Sequence, residues 1–180
     1  VITLEDRVLN CFMRSMNGTR PPVGSKPSIA ITTYLTWLST AMPVQLNAKA
    51  PLGPRSFPKP AVDRAKVSVE RGRKLYVDRC ASCHGEDGQG DPPVWGPRSY
   101  NAGAGLADVP RLAGWLRVTM PPEAPLASDA DAVDVAAYVN AQPRPDFVLK
   151  EHLPNDERIG AYNSTVPDEV DRAPTWPPKK

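Results

Sequence analysis

The feature that most constrains this chain is the pentapeptide Cys80-Ala81-Ser82-Cys83-His84. In a C-x-x-C-H motif the two cysteine sulfurs can form thioethers to the vinyl groups of a porphyrin, and the histidine that follows is held under the iron. Imidazole is an ordinary axial ligand of haem iron. The motif therefore predicts one haem c attached covalently at Cys80 and Cys83, with His84 as the proximal ligand.

Two other interpretations of the motif fit this chain less well. A structural zinc site needs four ligands, usually two Cys pairs or a Cys pair with a His pair. The whole sequence has three Cys and two His, and the second histidine, His152, lies far beyond the motif. A thioredoxin-like C-x-x-C needs a βαβ context, which the surrounding residues do not provide. With two cysteines assigned to haem, Cys11 has no partner and a disulfide scaffold is excluded.

Composition narrows the function classes further. The net charge is only +2 and no run of Lys and Arg occurs, which argues against a nucleic-acid partner. The 22 prolines predict long irregular stretches, because proline lacks the backbone N–H that helices and sheets use. No apolar run is long enough to predict a transmembrane segment. Haem c is attached outside the cytoplasmic membrane, so we expect a bacterial periplasmic, or otherwise extracytoplasmic, protein whose start is processed or incomplete.

Helix signals, prolines and glycines divide the chain into four parts. Residues 1–45 carry two helical signals, and residues 46–66 read as a Pro-rich linker. Residues 67–142 have the features of a compact haem domain, and residues 143–180 those of an extended, irregular, Pro-rich tail. The predicted fold class is all-α.

Capping residues and apolar spacing predict individual helices. In the first part, Thr3 caps a helix that Asn17-Gly18 stops, and Ser28 opens a second helix. In the haem domain the pattern predicts three helices separated by loops. These are Val67 to Cys80, Val109 to Val118 and Asp129 to Gln142.

The order of helix, C-x-x-C-H, loop, Met-Pro and terminal helix over residues 67–142 resembles that of the class I cytochromes c. In that family the first and last helices cross at a small residue and an aromatic residue. The resemblance implies that Gly72 allows the close approach, with Tyr76 and Tyr138 as the aromatic residues of the crossing.

The sixth iron ligand is expected from the far side of the haem, and Met120 is the best candidate because Pro121 fixes the backbone after it. A thioether is a soft ligand that raises the reduction potential. The alternative is a methionine that fills a gap in the core. Met42 is also followed by proline but precedes the motif, and His152 reads as a surface residue of the tail.

Several residues are candidates to support the haem. The backbone carbonyl of Pro92 or Pro93 could accept a hydrogen bond from the free ring nitrogen of His84 and so fix the imidazole. Three aromatic residues are candidates to pack against the porphyrin or to donate to its propionates, with plain core packing as the alternative: Trp95, Tyr100 and Trp115.

A sharper resemblance lies in residues 4–18, LEDRVLNCFMRSMNG. This stretch resembles the corresponding segment of the dihaem thiosulfate dehydrogenases, which are related to the SoxA cytochromes of sulfur oxidation. The match continues through residues 34–39, 95–97, 134–140 and 144–146. In that family two haem domains lie in tandem, and the reaction joins two thiosulfates into tetrathionate with release of two electrons.

The resemblance implies roles for residues outside the haem domain. Cys11 matches the axial thiolate of the first, catalytic haem, and Arg14, one helical turn away, would hold an anionic sulfur substrate. The haem at Cys80, Cys83 and His84 would relay electrons outward. The alternative for Cys11 is a small buried apolar residue.

The sequence departs from that family pattern in two places. No C-x-x-C-H lies upstream of Cys11, so residues 1–45 look like the back half of a first cytochrome domain. We expect either a missing start, with a second haem near Cys11, or a segment that has lost its haem and packs on the haem domain or a partner. Some relatives also have a Lys before the distal Met; Thr119 stands there, which predicts no Lys/Met exchange.

Three functions remain open, each with a redox partner protein. The first is a monohaem cytochrome c that transfers electrons. The second is a thiosulfate dehydrogenase or related sulfur-compound oxidoreductase, with the haem of residues 67–142 as its relay. The third is a cytochrome subunit docked in a larger complex. A second haem would discriminate between the first two.

Overall fold

The computed structural model of the chain describes residues 3–42, 57, 60–152 and 170–171. Its helices are α1 (Leu4–Met13), α2 (Lys26–Leu38), α3 (Val69–Arg79), α4 (Ala81–His84), α5 (Val109–Thr119) and α6 (Asp129–Asn140). Short 3-10 turns span Gly105–Ala107 and Leu149–His152. Two strands, β1 (Phe147–Val148) and β2 (Val170–Asp171), pair antiparallel, with Phe147 opposite Asp171. The predicted helical class is confirmed. The linker predicted at 46–66 lies mostly outside the described residues.

The N-terminal helices begin where small polar residues cap them. The Thr3 hydroxyl accepts the Asp6 N–H at 3.0 Å, as the sequence predicts. Asn17, with a φ of 47°, provides the left-handed residue after α1. The predicted start of α2 at Ser28 is wrong, since the helix begins at Lys26 after the N-cap Ser25. A proline is well tolerated in the first helical turn, so Pro27 lies inside this helix and does not precede it.

The haem-domain helices lie where the sequence predicts them, to within two residues at each end. Each has a side-chain cap: Ser68 accepts the Arg71 N–H, Asp108 the Arg111 N–H and Ser128 the Asp131 N–H. These caps satisfy backbone donors that the first turn of a helix otherwise leaves unpaired. The helix ends are therefore encoded locally.

Helices α3 and α6 cross in close contact. A Cβ on Gly72 would lie 2.0 Å from the carbonyl oxygen of Asp134, so no other residue fits here without a shift of the backbone. The rings of Tyr76 and Tyr138 lie 5.5 Å apart beside this point. The crossing predicted for Gly72, Tyr76 and Tyr138 is confirmed.

The N-terminal segment packs directly on the haem domain. The buried Asn101 side chain donates to the Met13 carbonyl at 2.7 Å and to the Asn17 side chain at 3.1 Å. The buried side chains of Met13, Phe147 and Leu149 form a second, smaller core cluster. These contacts hold α1 against the loop that follows the C-x-x-C-H motif.

The first residues of the tail pack on the body of the protein: residues 143–146 have no regular secondary structure, and strand β1 follows at Phe147–Val148. Phe147 has no exposed surface, because it packs in the cluster with Met13 and forms strand β1. Burial of a phenylalanine offsets the conformational entropy lost when a short segment is ordered. The remaining tail, apart from Val170–Asp171, lies outside the described residues.

Candidate functional site

The C-x-x-C-H motif borders a cavity of about 410 Å³, here called the motif cavity, which Cys80, Cys83, His84 and Met120 all line. This volume lies in the range of small-molecule and cofactor sites. Most of its other lining residues are apolar, and those from α5 and α6 include Leu112, Leu116, Val135 and Val139. The side chains that the sequence predicts around the iron are thus brought to one apolar cavity.

The motif forms its own short helix. The Cys80 carbonyl accepts the N–H groups of Cys83 at 3.2 Å and of His84 at 3.0 Å, and Gly85, with a φ of 75°, ends the turn. This single turn holds both cysteines and the histidine against the same cavity. Burial raises the pKa of the Cys80 thiol to about 11, so it carries its proton at neutral pH.

The ring of His84 is fixed by a backbone group. Its Nδ1 lies 2.7 Å from the Pro92 carbonyl oxygen. Because a carbonyl can only accept, Nδ1 carries the proton and Nε2 keeps its lone pair for a metal. Of the two carbonyls predicted for this role, that of Pro92 provides it, and both Pro92 and Pro93 line the motif cavity.

Met120 lies at the C-terminal end of α5 with an extended backbone and lines the same cavity as His84. Thr119 turns its hydroxyl back to the Trp115 carbonyl at 2.7 Å. Imidazole and thioether donors around an apolar cavity, with two cysteines at its border, fit a haem c. Among the described residues, no group of three or more His, Cys, Asp and Glu side chains is placed to hold a metal ion.

The three aromatic candidates differ in whether they line the motif cavity. Tyr100 and Trp115 line the motif cavity. Trp95 does not: it is buried between Tyr76, at 4.9 Å, and Tyr138, at 5.7 Å, which agrees with the alternative of plain core packing. Tyr100 lies beneath the Arg144 guanidinium at 4.3 Å, and burial raises the pKa of its hydroxyl.

The two other ligand candidates do not line the motif cavity. Met42 is 65% exposed after α2. His152 stacks on Phe147 at 5.0 Å, and burial lowers its pKa. The partly buried position of His152 corrects its interpretation as a surface residue.

A second cavity, of about 850 Å³, lies between α1 and α5 and is here called the Cys11 cavity. Cys11 and Arg14 both line it, as their predicted partnership requires. Cys11 is exposed, so the alternative of a buried apolar residue is wrong. The Arg14 guanidinium donates to the Gly103 carbonyl at 2.9 Å and lies 4.3 Å over the Phe147 ring, which fixes its place in the wall.

The residues of the Cys11 cavity that are absent from the sequence-based predictions include Arg7, Asn10 and Arg111. Arg7 and Asn10 share the α1 face of Cys11 and Arg14 through i, i+3, i+4, i+7 spacing, so helical periodicity contains a signal for them. Arg111 comes from α5, and no local pattern connects it to Cys11. Ser15, Leu106 and Trp115 line both cavities and form their common wall.

Known proteins resemble this chain in sequence and fold. Residues 67–139 match the family described as cytochrome c oxidase, cbb3-type, subunit III. A thiosulfate dehydrogenase of Stutzerimonas stutzeri (strain A1501) is 38% identical over 149 residues, which are 78% of this chain and 47% of that protein. The thiosulfate dehydrogenase electron acceptor of the same organism is 31% identical over 105 residues, covering 56% of this chain and 49% of that protein.

Among solved structures, the thiosulfate dehydrogenase TsdBA from Marichromatium purpuratum in its "as isolated" form superposes with a TM-score of 0.74. It is 33% identical and covers 93% of this chain and 38% of its own. The chain therefore spans about half the length, or less, of these relatives. No helix in the described ranges is long and apolar enough to cross a membrane. This chain is a c-type cytochrome that resembles the thiosulfate dehydrogenases.

Proposed function

We propose that the chain carries electrons through one haem c attached at Cys80 and Cys83, with His84 and Met120 as its axial ligands. The observation that supports this most directly is the convergence of these four side chains, from the motif helix and from the end of α5, on one apolar cavity. When bound, the haem supplies an iron that alternates between the ferric and ferrous states.

Residues of the chain would influence how readily the iron changes its oxidation state. The hydrogen bond from His84 to Pro92 holds the imidazole in one orientation and makes it a better donor. The thioether of Met120 favours reduced iron, and the apolar walls keep water away, which also favours the less charged state. Arg79 and Arg98 line the cavity as positive groups that suit the propionates of a porphyrin.

The partner is, in this proposal, another redox protein, and the site of action is the periplasm. The chain resembles a protein named as an electron acceptor as well as dehydrogenases, which supports exchange of electrons with a second cytochrome. The absence of nucleic-acid features in the composition agrees with this class of partner.

A second candidate function is the oxidation of thiosulfate to tetrathionate at the Cys11 cavity, with the haem at Cys80 and Cys83 as relay. It is favoured by the exposed thiol of Cys11 beside Arg7, Arg14 and Arg111. The shared wall through Ser15, Leu106 and Trp115 would give a short route between the cavities. This candidate requires a second haem beside Cys11.

Stopped-flow mixing tests both candidates. The reduced, haem-loaded protein is mixed with an oxidised small c-type cytochrome, and the haem absorbance is followed. We expect oxidation at a rate proportional to the partner concentration, whereas a protein that stays reduced would contradict electron transfer. Thiosulfate is then added to the oxidised protein alone: prompt haem reduction supports the second candidate, and an unchanged spectrum counts against it.

A further inference from the structure

The Asn10 side chain is buried without a hydrogen-bond partner. Only 2% of Asn10 is exposed, and neither its Oδ1 nor its Nδ2 has a partner within the part of the chain that the structure describes. An amide left in that state is costly, and nearly all buried polar groups are paired. Asn10 lines the Cys11 cavity, so a group bound in this cavity would give the amide the partner it lacks.

The charge of the Cys11 cavity indicates what that group is. Its lining includes the arginines Arg7, Arg14 and Arg111 and, among the described residues, no Asp or Glu. Arg111 forms an ion pair with Asp108 at 3.7 Å, in which both side chains are more than half exposed. Such a pair is worth little in water, so the Arg111 guanidinium keeps donors for a ligand.

Arg14 and Arg111 differ in how much of their hydrogen-bonding capacity is already used within the protein. Arg14 donates to the Gly103 carbonyl and lies over the Phe147 ring, so part of its hydrogen-bonding capacity is used within the protein. Arg111 reaches the cavity from the other helix, α5, and would bring positive charge to the side that faces α1. An anion between the two helices would therefore meet a buried amide from α1 and a guanidinium from α5.

We propose that Asn10 and Arg111 together bind one anionic oxygen group in the Cys11 cavity. The Asn10 amide N–H and the Arg111 guanidinium donate to its oxygens, a pairing that suits both a sulfur oxoanion and a porphyrin carboxylate. Which of these two groups binds depends on the second candidate function, the oxidation of thiosulfate at the Cys11 cavity. Because Asn10 belongs to the N-terminal segment and Arg111 to the haem domain, both parts of the chain would contribute to this binding site.

The test measures anion affinity and haem reduction potential in the haem-loaded, full-length protein. Thiosulfate is titrated into the reduced protein by isothermal calorimetry, so that no turnover occurs, and the reduction potential is measured by spectroelectrochemical titration. The variants are Asn10→Leu, which removes the amide, and Arg111→Gln, which removes an exposed charge with little risk to folding. Arg73→Gln, on the exposed surface of α3, is the matched control.

We expect Asn10→Leu and Arg111→Gln each to weaken thiosulfate binding by about tenfold, and Arg73→Gln to leave it unchanged. If thiosulfate affinity is the same in all variants but the haem reduction potential changes in both Asn10→Leu and Arg111→Gln, and not in Arg73→Gln, the bound group is a porphyrin carboxylate. If neither quantity changes in Asn10→Leu and Arg111→Gln, the proposal is overturned. If the parent protein does not bind thiosulfate, the second candidate function is wrong, and the haem reduction potential of the variants then decides whether Asn10 and Arg111 bind an anionic group.

Discussion

At the scale of single residues, His84 and Met120 determine what the motif cavity can bind. His84 is fixed by the Pro92 carbonyl at 2.7 Å, and Met120 lines the same cavity. The iron would therefore have one rigid donor, the imidazole of His84, and one flexible, soft donor, the thioether of Met120. Loss of either residue would leave the apolar cavity but change the ligand field of the iron.

Replacement of Met120 tests the thioether directly. Met120→Ala should abolish the weak absorption band of a sulfur–iron bond near the red end of the visible spectrum and lower the reduction potential, because the thioether favours reduced iron. Met42→Ala, at a methionine that is 65% exposed, should leave both unchanged. If the band survives in Met120→Ala, the sixth ligand is another residue.

Residues close to the C-x-x-C-H motif were not all predictable. Trp95 and Tyr100 are both aromatic residues of the same loop, yet only Tyr100 lines the motif cavity. Trp95 packs over Gly88, where a Cβ would lie 2.1 Å from the indole, and the Gly96 N–H donates to the Pro143 carbonyl at 2.7 Å. This path of the loop depends on contacts distant in sequence, which no local pattern contains.

At the scale of helices, the crossing of α3 and α6 supports the motif cavity. Gly72→Ala would place a Cβ 2.0 Å from the Asp134 carbonyl oxygen and 3.0 Å from the Tyr138 Cβ. Since the backbone must then shift, we expect a loss of about 3 kcal/mol in the free energy of unfolding. Denaturant unfolding measures it.

Gly105→Ala is the control for that substitution, because a Cβ at Gly105 would have its nearest neighbour at 3.6 Å, an ordinary contact distance. It should change the free energy of unfolding by less than about 1 kcal/mol. An equal loss in both variants would mean that the helix crossing is not the reason for glycine at position 72.

The contact between α1 and α2 depends on one carboxylate. Glu5 accepts hydrogen bonds from the Ser28 hydroxyl and, at 2.7 Å, from the Gly24 N–H. These bonds lower the pKa of Glu5 below its usual 4.5, so the charged form is favoured in the folded chain. The resulting stabilisation is present above pH 4.5 and is lost as the pH falls through the lowered folded pKa.

Glu5→Gln should therefore reduce the slope of stability against pH on the acid side of pH 4.5. Thermal unfolding at a series of pH values measures this slope. Glu123→Gln, at an exposed residue after α5, is the control for loss of a carboxylate. An acid-side slope that is the same for Glu5→Gln and the parent would contradict the role given to Glu5.

Helix positions were the most predictable part of the fold, because their signals are local. Thr3, Ser68, Asp108 and Ser128 cap the helices through side-chain hydrogen bonds to residues three positions on. The start of α2 was misplaced because Ser25 and Ser28 are both acceptable caps in sequence. Ser28 is instead buried against Glu5, a partner distant in sequence.

At the scale of the whole molecule, residues of the N-terminal segment and of the haem domain together line both cavities, and the two cavities have one wall in common. Asn101 joins the loop of the haem domain to α1 through Met13 and Asn17. The cluster of Met13 and Phe147 adds the start of the tail to the same body. The sequence resemblance predicted that Cys11 and Arg14 lie together, but only the tertiary fold, which places α1 across the Cys11 cavity from α5, brings Arg111 to them.

The attachment of haem at Cys80 and Cys83 is the central claim, and peptide mass spectrometry tests it most directly. The protein, produced in a bacterium with a periplasmic haem-attachment system, is denatured, alkylated and digested. We predict that the peptide containing Cys80 and Cys83 carries one haem mass and absorbs as a porphyrin, with both sulfurs resistant to alkylation. A haem-free peptide with both cysteines alkylated would contradict the account.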